Sequence, residues 1–217
     1  HFIPSVKFIS TFMKFVIPFI SHMFMEFYIL GLNLILAGFS DQAVTALGLY
    51  YKWQTFFFIP LGALQTCIVP VISYNYAAGS LDRCRKTLST SLIAGACLMA
   101  VGTLCFETIP SQMLSVFTSD KTVIEIGTIG LRFIGFSFIP MVTSLIFPVF
   151  FQAIGRAVKS SVLTIVRTVV LFVPLGYIFS RFGLNKFWLT FIITELLTSS
   201  LGIYFYKDFL RKTIKEK

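Results

Sequence analysis

Charged residues make up only 12% of this 217-residue chain, against roughly 25% in a soluble globular domain, which excludes an ordinary soluble fold. Histidine occurs twice, and there is no G-x-x-x-x-G-K-[ST] phosphate loop, H-E-x-x-H metal pair or G-x-S-x-G nucleophile turn. The usual residues of nucleotide-driven and hydrolytic chemistry are therefore missing, and an enzyme is not expected. The four cysteines, Cys67, Cys84, Cys97 and Cys105, have no C-x-x-C spacing. They read as small hydrophobes, not as a disulfide framework or zinc site. No small-residue cleavage site follows a short apolar core at the start, so the opening does not resemble a signal peptide.

Apolar sequence is what the chain has in abundance: 56% hydrophobic residues, 26 Phe among them, and a mean hydropathy of +0.86. Such a chain cannot leave its side chains in water, so disorder is excluded as well. At about 20 residues per span, the length accommodates roughly six membrane helices with short connections. The apolar runs cover approximately 15–37, 43–76, 87–109, 126–154, 161–182 and 187–206, with a basic tail over 207–217. They are continuous and twice the length of barrel strands, so an all-α six-helix bundle is expected, forming one lobe over residues 1–217. The second run holds Pro60 and Pro70 and the fourth Pro140 and Pro148. Each proline removes a backbone donor and pushes its helix to kink.

The net charge of +9 is explained by topology. With the N-terminus in the cytoplasm, the inner segments carry Lys7, Lys14, Arg83, Arg85, Lys86, Arg156, Lys159 and the basic residues from Lys207 onward. The outer segments hold only Lys121, Arg181 and Lys186. This asymmetry follows the positive-inside rule, with both termini cytoplasmic, and removes the reason to invoke nucleic acid. Attraction of the 207–217 segment to lipid headgroups is a further consequence. Phe56-Phe57-Phe58-Ile59-Pro60 also matches Phe136-Ser137-Phe138-Ile139-Pro140 at an offset of 80. A parallel repeat accounts for this, and so does chance in a Phe-rich chain.

Ionisable residues inside spans are costly, so each is a functional candidate. His22, Glu26 and Asn33 share one helical face of the first run. A desolvated carboxyl at Glu26 suits proton exchange or the binding of a small cation such as sodium. The alternative is a carboxyl that fixes helix packing with His22. Glu195 lies near the middle of the sixth run with Thr198, Ser199 and Gly202 on the same side, a pattern that equally fits a closely packed interface with one hydrogen-bonded acid. Arg132 and Arg167 are expected to snorkel to the headgroups, with pairing to Glu125 or another intramembrane acid as the alternative. Lys52-Trp53 reads as an interfacial anchor, and Ser91, Gly95 and Gly102 as a packing stripe. Gln65 and Tyr74-Asn75-Tyr76 add polar groups towards the inner end of the second run, where the cluster can line a vestibule or cap the helix and reads as a helix stop with aromatic anchors.

The segment from Gln65 to Thr87, Q-T-C-I-V-P-V-I-S-Y-N-Y-A-A-G-S-L-D-R-C-R-K-T, resembles the multidrug and toxic compound extrusion (MATE) family, of the wider MOP superfamily, with Ala77 in place of a usual glycine. The stretches F-F-Q-A-I-G-R at 150–156 and W-L-T-F-I-I-T-E at 188–195, and Arg167 with Pro174, are similar to the same family. The resemblance runs through nearly the whole chain but only the family's second half, its seventh to twelfth spans. It implies half of an antiporter in the cell's inner membrane, exporting bulky amphipathic or cationic drug-like compounds in exchange for Na+ or H+, by alternating access. Some relatives carry an acidic residue in the first helix of this lobe, which Glu26 matches in position; joined to the polar residues read above, the candidate substrate or cation site is Glu26, Asn33, His22, Gln65 and Glu195, with the aromatics at 56–58 along the drug path. No cofactor beyond the coupling ion is implied, and the partners are membrane lipid and either a missing N-terminal lobe or a second copy. The alternatives are a lipid-linked oligosaccharide flippase of the same superfamily, which would want several basic groups in its cavity, and a non-transporting truncated fragment.

Overall fold

The computed structural model describes residues 27–215, and all regular structure among them is helical. Helix α1 (Phe27–Ala37) is the described part of the first apolar run. It is followed by α2 (Asp41–Ala77), α3 (Leu81–Thr108), the short α4 (Pro110–Ser115), α5 (Lys121–Gly135) and α6 (Phe138–Ala153). Helix α7 (Ala157–Ile165) continues through a π-helical turn, Val166–Phe172, into α8 (Val173–Ser180), and α9 (Leu184–Phe187) leads into α10 (Leu189–Lys215). Four helical stretches are long and apolar enough to cross a bilayer, and the bent pair α5–α6 makes a fifth.

Local chemistry sets the boundaries. The Ser40 hydroxyl accepts from the Ala43 N–H at 3.1 Å, and Asp120 Oδ1 accepts from Thr122 N–H at 2.8 Å, so both helices start on capping oxygens. Helix α2 ends at Ala77, and two residues on, Gly79, with a φ of 72°, allows Ser80 N–H to reach Asn75 O and Gly79 N–H to reach Tyr76 O. These two bonds close a Schellman turn, the stop expected at Tyr74-Asn75-Tyr76.

The prolines differ in what accompanies them. Helix α2 continues through both Pro60 and Pro70. In the fourth run the chain bends by 57° between α5 and α6, one turn before Pro140, which has no N–H to offer the Phe136 carbonyl. The Thr103 hydroxyl donates to the Gly135 carbonyl at 3.0 Å and covers the backbone at the break. In the fifth run the π turn immediately precedes Pro174, which likewise cannot donate to the Val170 carbonyl.

Contacts fix the relative directions. Gln65 meets Leu145 and Ser73 meets Ala153, so α2 and α6 lie parallel, each residue beside the one 80 positions on. The offset of the Phe-Ile-Pro similarity is thus also the spatial register of the two helices. Helix α10 runs the same way, since Ser199 meets Pro140 and Phe209 meets Phe150. Helix α3 runs opposite to α2 and α6: Cys84 reaches Ile72, and a Cβ at Gly95 would meet Val142 Cγ1 at 2.7 Å. Ser91, Gly95 and Gly102 are buried on α3, as a packing stripe requires. Arg83, Arg85, Lys86, Arg156, Lys159, Lys207, Arg211 and Lys212 consequently collect at one end of the bundle. Large apolar side chains such as Leu34, Phe56, Leu104 and Val158 remain exposed on its flanks, which suits a lipid or second-lobe surface.

Candidate functional site

The centre of the lobe holds an ion pair that the tertiary structure assembles from three helices. The π turn carries Arg167, only 5% exposed, and α10 carries Glu195, fully buried. Arg167 Nη2 donates to Glu195 Oε1 at 2.6 Å, and Nε to Oε1 at 3.0 Å and Oε2 at 3.2 Å. The Ser144 hydroxyl of α6 donates to Glu195 Oε2. A carboxylate stripped of water is held here by a guanidinium fork and a hydroxyl, the geometry in which buried charge is tolerable. Proline 174 indirectly shapes this contact, because the wider π turn next to it carries the arginine.

Aromatic rings enclose the pair. The Arg167 guanidinium lies 5.2 Å over the Phe172 ring, a cation–π contact. Phe172 stacks on Tyr28 at 4.8 Å and meets Phe191 at 5.4 Å, which in turn meets Tyr50 at 5.3 Å. The Tyr50 hydroxyl and those of Thr190, Thr194 and Thr198 are buried without a hydrogen-bond partner among the described residues. Polar atoms thus follow α10 on both sides of Glu195 in an otherwise apolar core.

The five residues singled out from the sequence fare differently. His22 and Glu26 lie outside the described residues. Asn33 is half-buried on α1, the helix that packs Leu32 close to Gly176 of α8. The Gln65 side-chain amide donates to the Leu145 carbonyl at 3.2 Å. Gln65 from α2 and Glu195 from α10 therefore engage consecutive residues of α6, Leu145 and Ser144. Among the described residues no group of three or more His, Cys, Asp or Glu is placed to hold a metal ion.

Arg167 corrects an expectation. It does not snorkel to the headgroups but turns inward, because Glu195 offers an opposite charge at the same depth. Arg132, by contrast, is exposed. Lys52 Nζ lies 4.9 Å over the Phe117 ring, and Trp53 Nε1 donates to the Met113 carbonyl at 3.0 Å. Sequence reasoning missed Ser144 and the aromatic enclosure. The available signal was an arginine and an acid in two successive spans, with a proline about two helical turns beyond the arginine.

Comparison with known proteins gives a consistent result. A profile of the MatE family matches residues 18–178. The chain is 25% identical over 209 residues to the multidrug export protein MepA of Staphylococcus aureus (strain bovine RF122 / ET3-1), covering 94% of this chain and 46% of that protein. With MepA of Staphylococcus saprophyticus the identity is 24% over 182 residues, 82% of this chain and 40% of the relative. The chain thus spans about half the length of the curated relatives it matches. An outward-facing structure of a multidrug resistance MATE family transporter of the MOP superfamily superposes with a TM-score of 0.89 at 18% identity, over 100% of this chain and 49% of the other. A MOP superfamily transporter from Pyrococcus furiosus, described as having a binding pocket of reverse polarity, superposes at 0.88, with 18% identity and the same coverage. The fold is therefore that of half of such a transporter.

Proposed function

Since the chain belongs to the MatE family, we propose that it forms one half of a cation-coupled antiporter, which exports bulky amphipathic or cationic compounds. The observation that carries this reading is the match of the chain to half the length of multidrug export proteins and to half of a transporter fold. Two such halves moving around one site give alternating access. The second half is either an N-terminal lobe or another copy of this one.

In this reading Glu26 is the coupling carboxyl, with Asn33 and His22 on its helix face, and it takes up a proton or a sodium ion. Gln65 and Glu195, which grip consecutive residues of α6, would pass the consequence to the bent α5–α6 segment. Phe56, 62% exposed, and the neighbouring Phe57 and Phe58 would offer rings to a cationic drug. The basic end of the lobe would face the cytoplasm, with both termini there and the helices in the cell's inner membrane. Ion and drug would exclude each other from the cavity, so that binding of one favours release of the other.

The test is ethidium efflux from energised vesicles containing the full-length protein. Efflux that collapses with the ion gradient and is lost in Glu26→Gln supports the proposal. Unchanged gradient-driven efflux in Glu26→Gln removes that residue from coupling. Efflux indifferent to both sodium and proton gradients rejects antiport.

A further inference from the structure

At the basic end of the lobe a cleft of about 440 Å³ opens between the α2–α3 turn and the last turns of α10. Arg83 and Arg85 line one wall, Ser80 and Thr213 supply hydroxyls, and Leu81 and Leu210 supply the apolar part. Asp82 lines it too, so two guanidiniums face one carboxylate and the cleft is cationic. The other nearby acid is committed: Asp208 is bridged by Lys159 at 2.9 Å and by Lys212 at 3.1 Å. Lys86, Lys207 and Arg211 are exposed and lie outside the cleft lining.

The geometry points to a binding site for the phosphate-bearing headgroup of an anionic phospholipid. The cleft is at the end of apolar membrane helices, where headgroups sit, and combines cationic donors, hydroxyls and leucine side chains in its lining. Guanidinium forks match phosphate oxygens in a way that a general excess of lysine does not. Basic pockets between membrane helices are a recurrent form of headgroup recognition. A bound lipid would join the α2–α3 turn to the end of α10, two segments distant in the chain. This inference is independent of the transported compound and of the coupling ion.

The test is lipid binding to the full-length protein in detergent, read by native mass spectrometry and by thermal stabilisation, with phosphatidylglycerol, phosphatidylcholine or inorganic phosphate added. With two arginines near an anionic group, the preference for phosphatidylglycerol over phosphatidylcholine should be about thirtyfold. Arg83→Gln with Arg85→Gln should abolish that preference, whereas Lys86→Gln with Lys207→Gln, equal in charge but outside the cleft lining, should keep most of it. If the arginine pair cannot be neutralised without unfolding, Arg83→Gln alone, at an exposed position, should still lower the preference several-fold. Equal losses in the two double variants would overturn the proposal in favour of diffuse attraction. Absence of any preference for phosphatidylglycerol, or stabilisation by inorganic phosphate alone as large as that by the lipid, would overturn it as well.

Discussion

Arg167 and Glu195 sit in successive membrane-spanning segments and meet through Nη2 and Oε1 at 2.6 Å in the buried centre of the lobe. Their contact joins the π turn to α10, and Ser144 extends it to α6. Three helices are thereby tied at one point by charge, not by apolar packing alone.

Removing either partner leaves the other charge buried and uncompensated. Glu195→Gln and Arg167→Gln should each destabilise the protein by about 3–5 kcal/mol. Glu195→Gln combined with Arg167→Gln should cost less than the sum of the two singles, because neither charge is then orphaned. Unfolding in denaturing detergent, run as a double-mutant cycle, checks this. Additive losses would show that the pair is not energetically coupled.

Helix α3 approaches α2 and α6 at Gly95, where an added Cβ would lie 2.7 Å from Val142 Cγ1 and 3.2 Å from Leu61 Cδ1. Gly95→Leu should therefore overpack the interface and cost about 1–3 kcal/mol. The measurement is the thermal midpoint in detergent, and an unchanged midpoint would mean that the helices separate freely there.

Gly79 has open space around its Cα, so its requirement is purely conformational, set by the φ of 72°. Gly79→Ala should cost roughly 1–2 kcal/mol, the penalty of a left-handed backbone for an ordinary residue. Gly79→Asn should cost less, since asparagine visits that region more readily. Comparing the midpoints of the two variants tests the assignment.

The Ser73 hydroxyl donates to the Ala153 carbonyl at 2.8 Å, at the end of α6 where helical partners run out. Ser73→Ala should lower stability by about 1 kcal/mol. Hydrogen exchange should quicken at the α6–α7 junction around Ile154–Arg156 and stay unchanged at the α5–α6 bend. Faster exchange at the bend instead would contradict the local capping role.

The sequence by itself determined the helical class, the approximate helical runs among the described residues and the separation of charge between the ends. A bilayer's thickness dictates run length, and the cost of moving lysine or arginine across it dictates where they stay. The helix stop at the Tyr74-Asn75-Tyr76 cluster was legible too, whereas the positive φ of Gly79 that closes it shows only in the structure. Tertiary structure alone decided that Arg167 turns inward to Glu195, since snorkelling and pairing are both open to an isolated helix and only the packing of α10 against the π turn selects one. It also decided where the chain bends: four prolines were candidates, but the sharp break came one turn before Pro140, where Thr103 of α3 supplies a hydrogen bond to the backbone. The 80-residue similarity became a register between neighbouring helices in the same way, through the bonds from Gln65 and Ser73 across to α6. What depends on one chain segment and its solvent is written locally, while the partner of a buried charge or a freed carbonyl depends on which helix stands opposite.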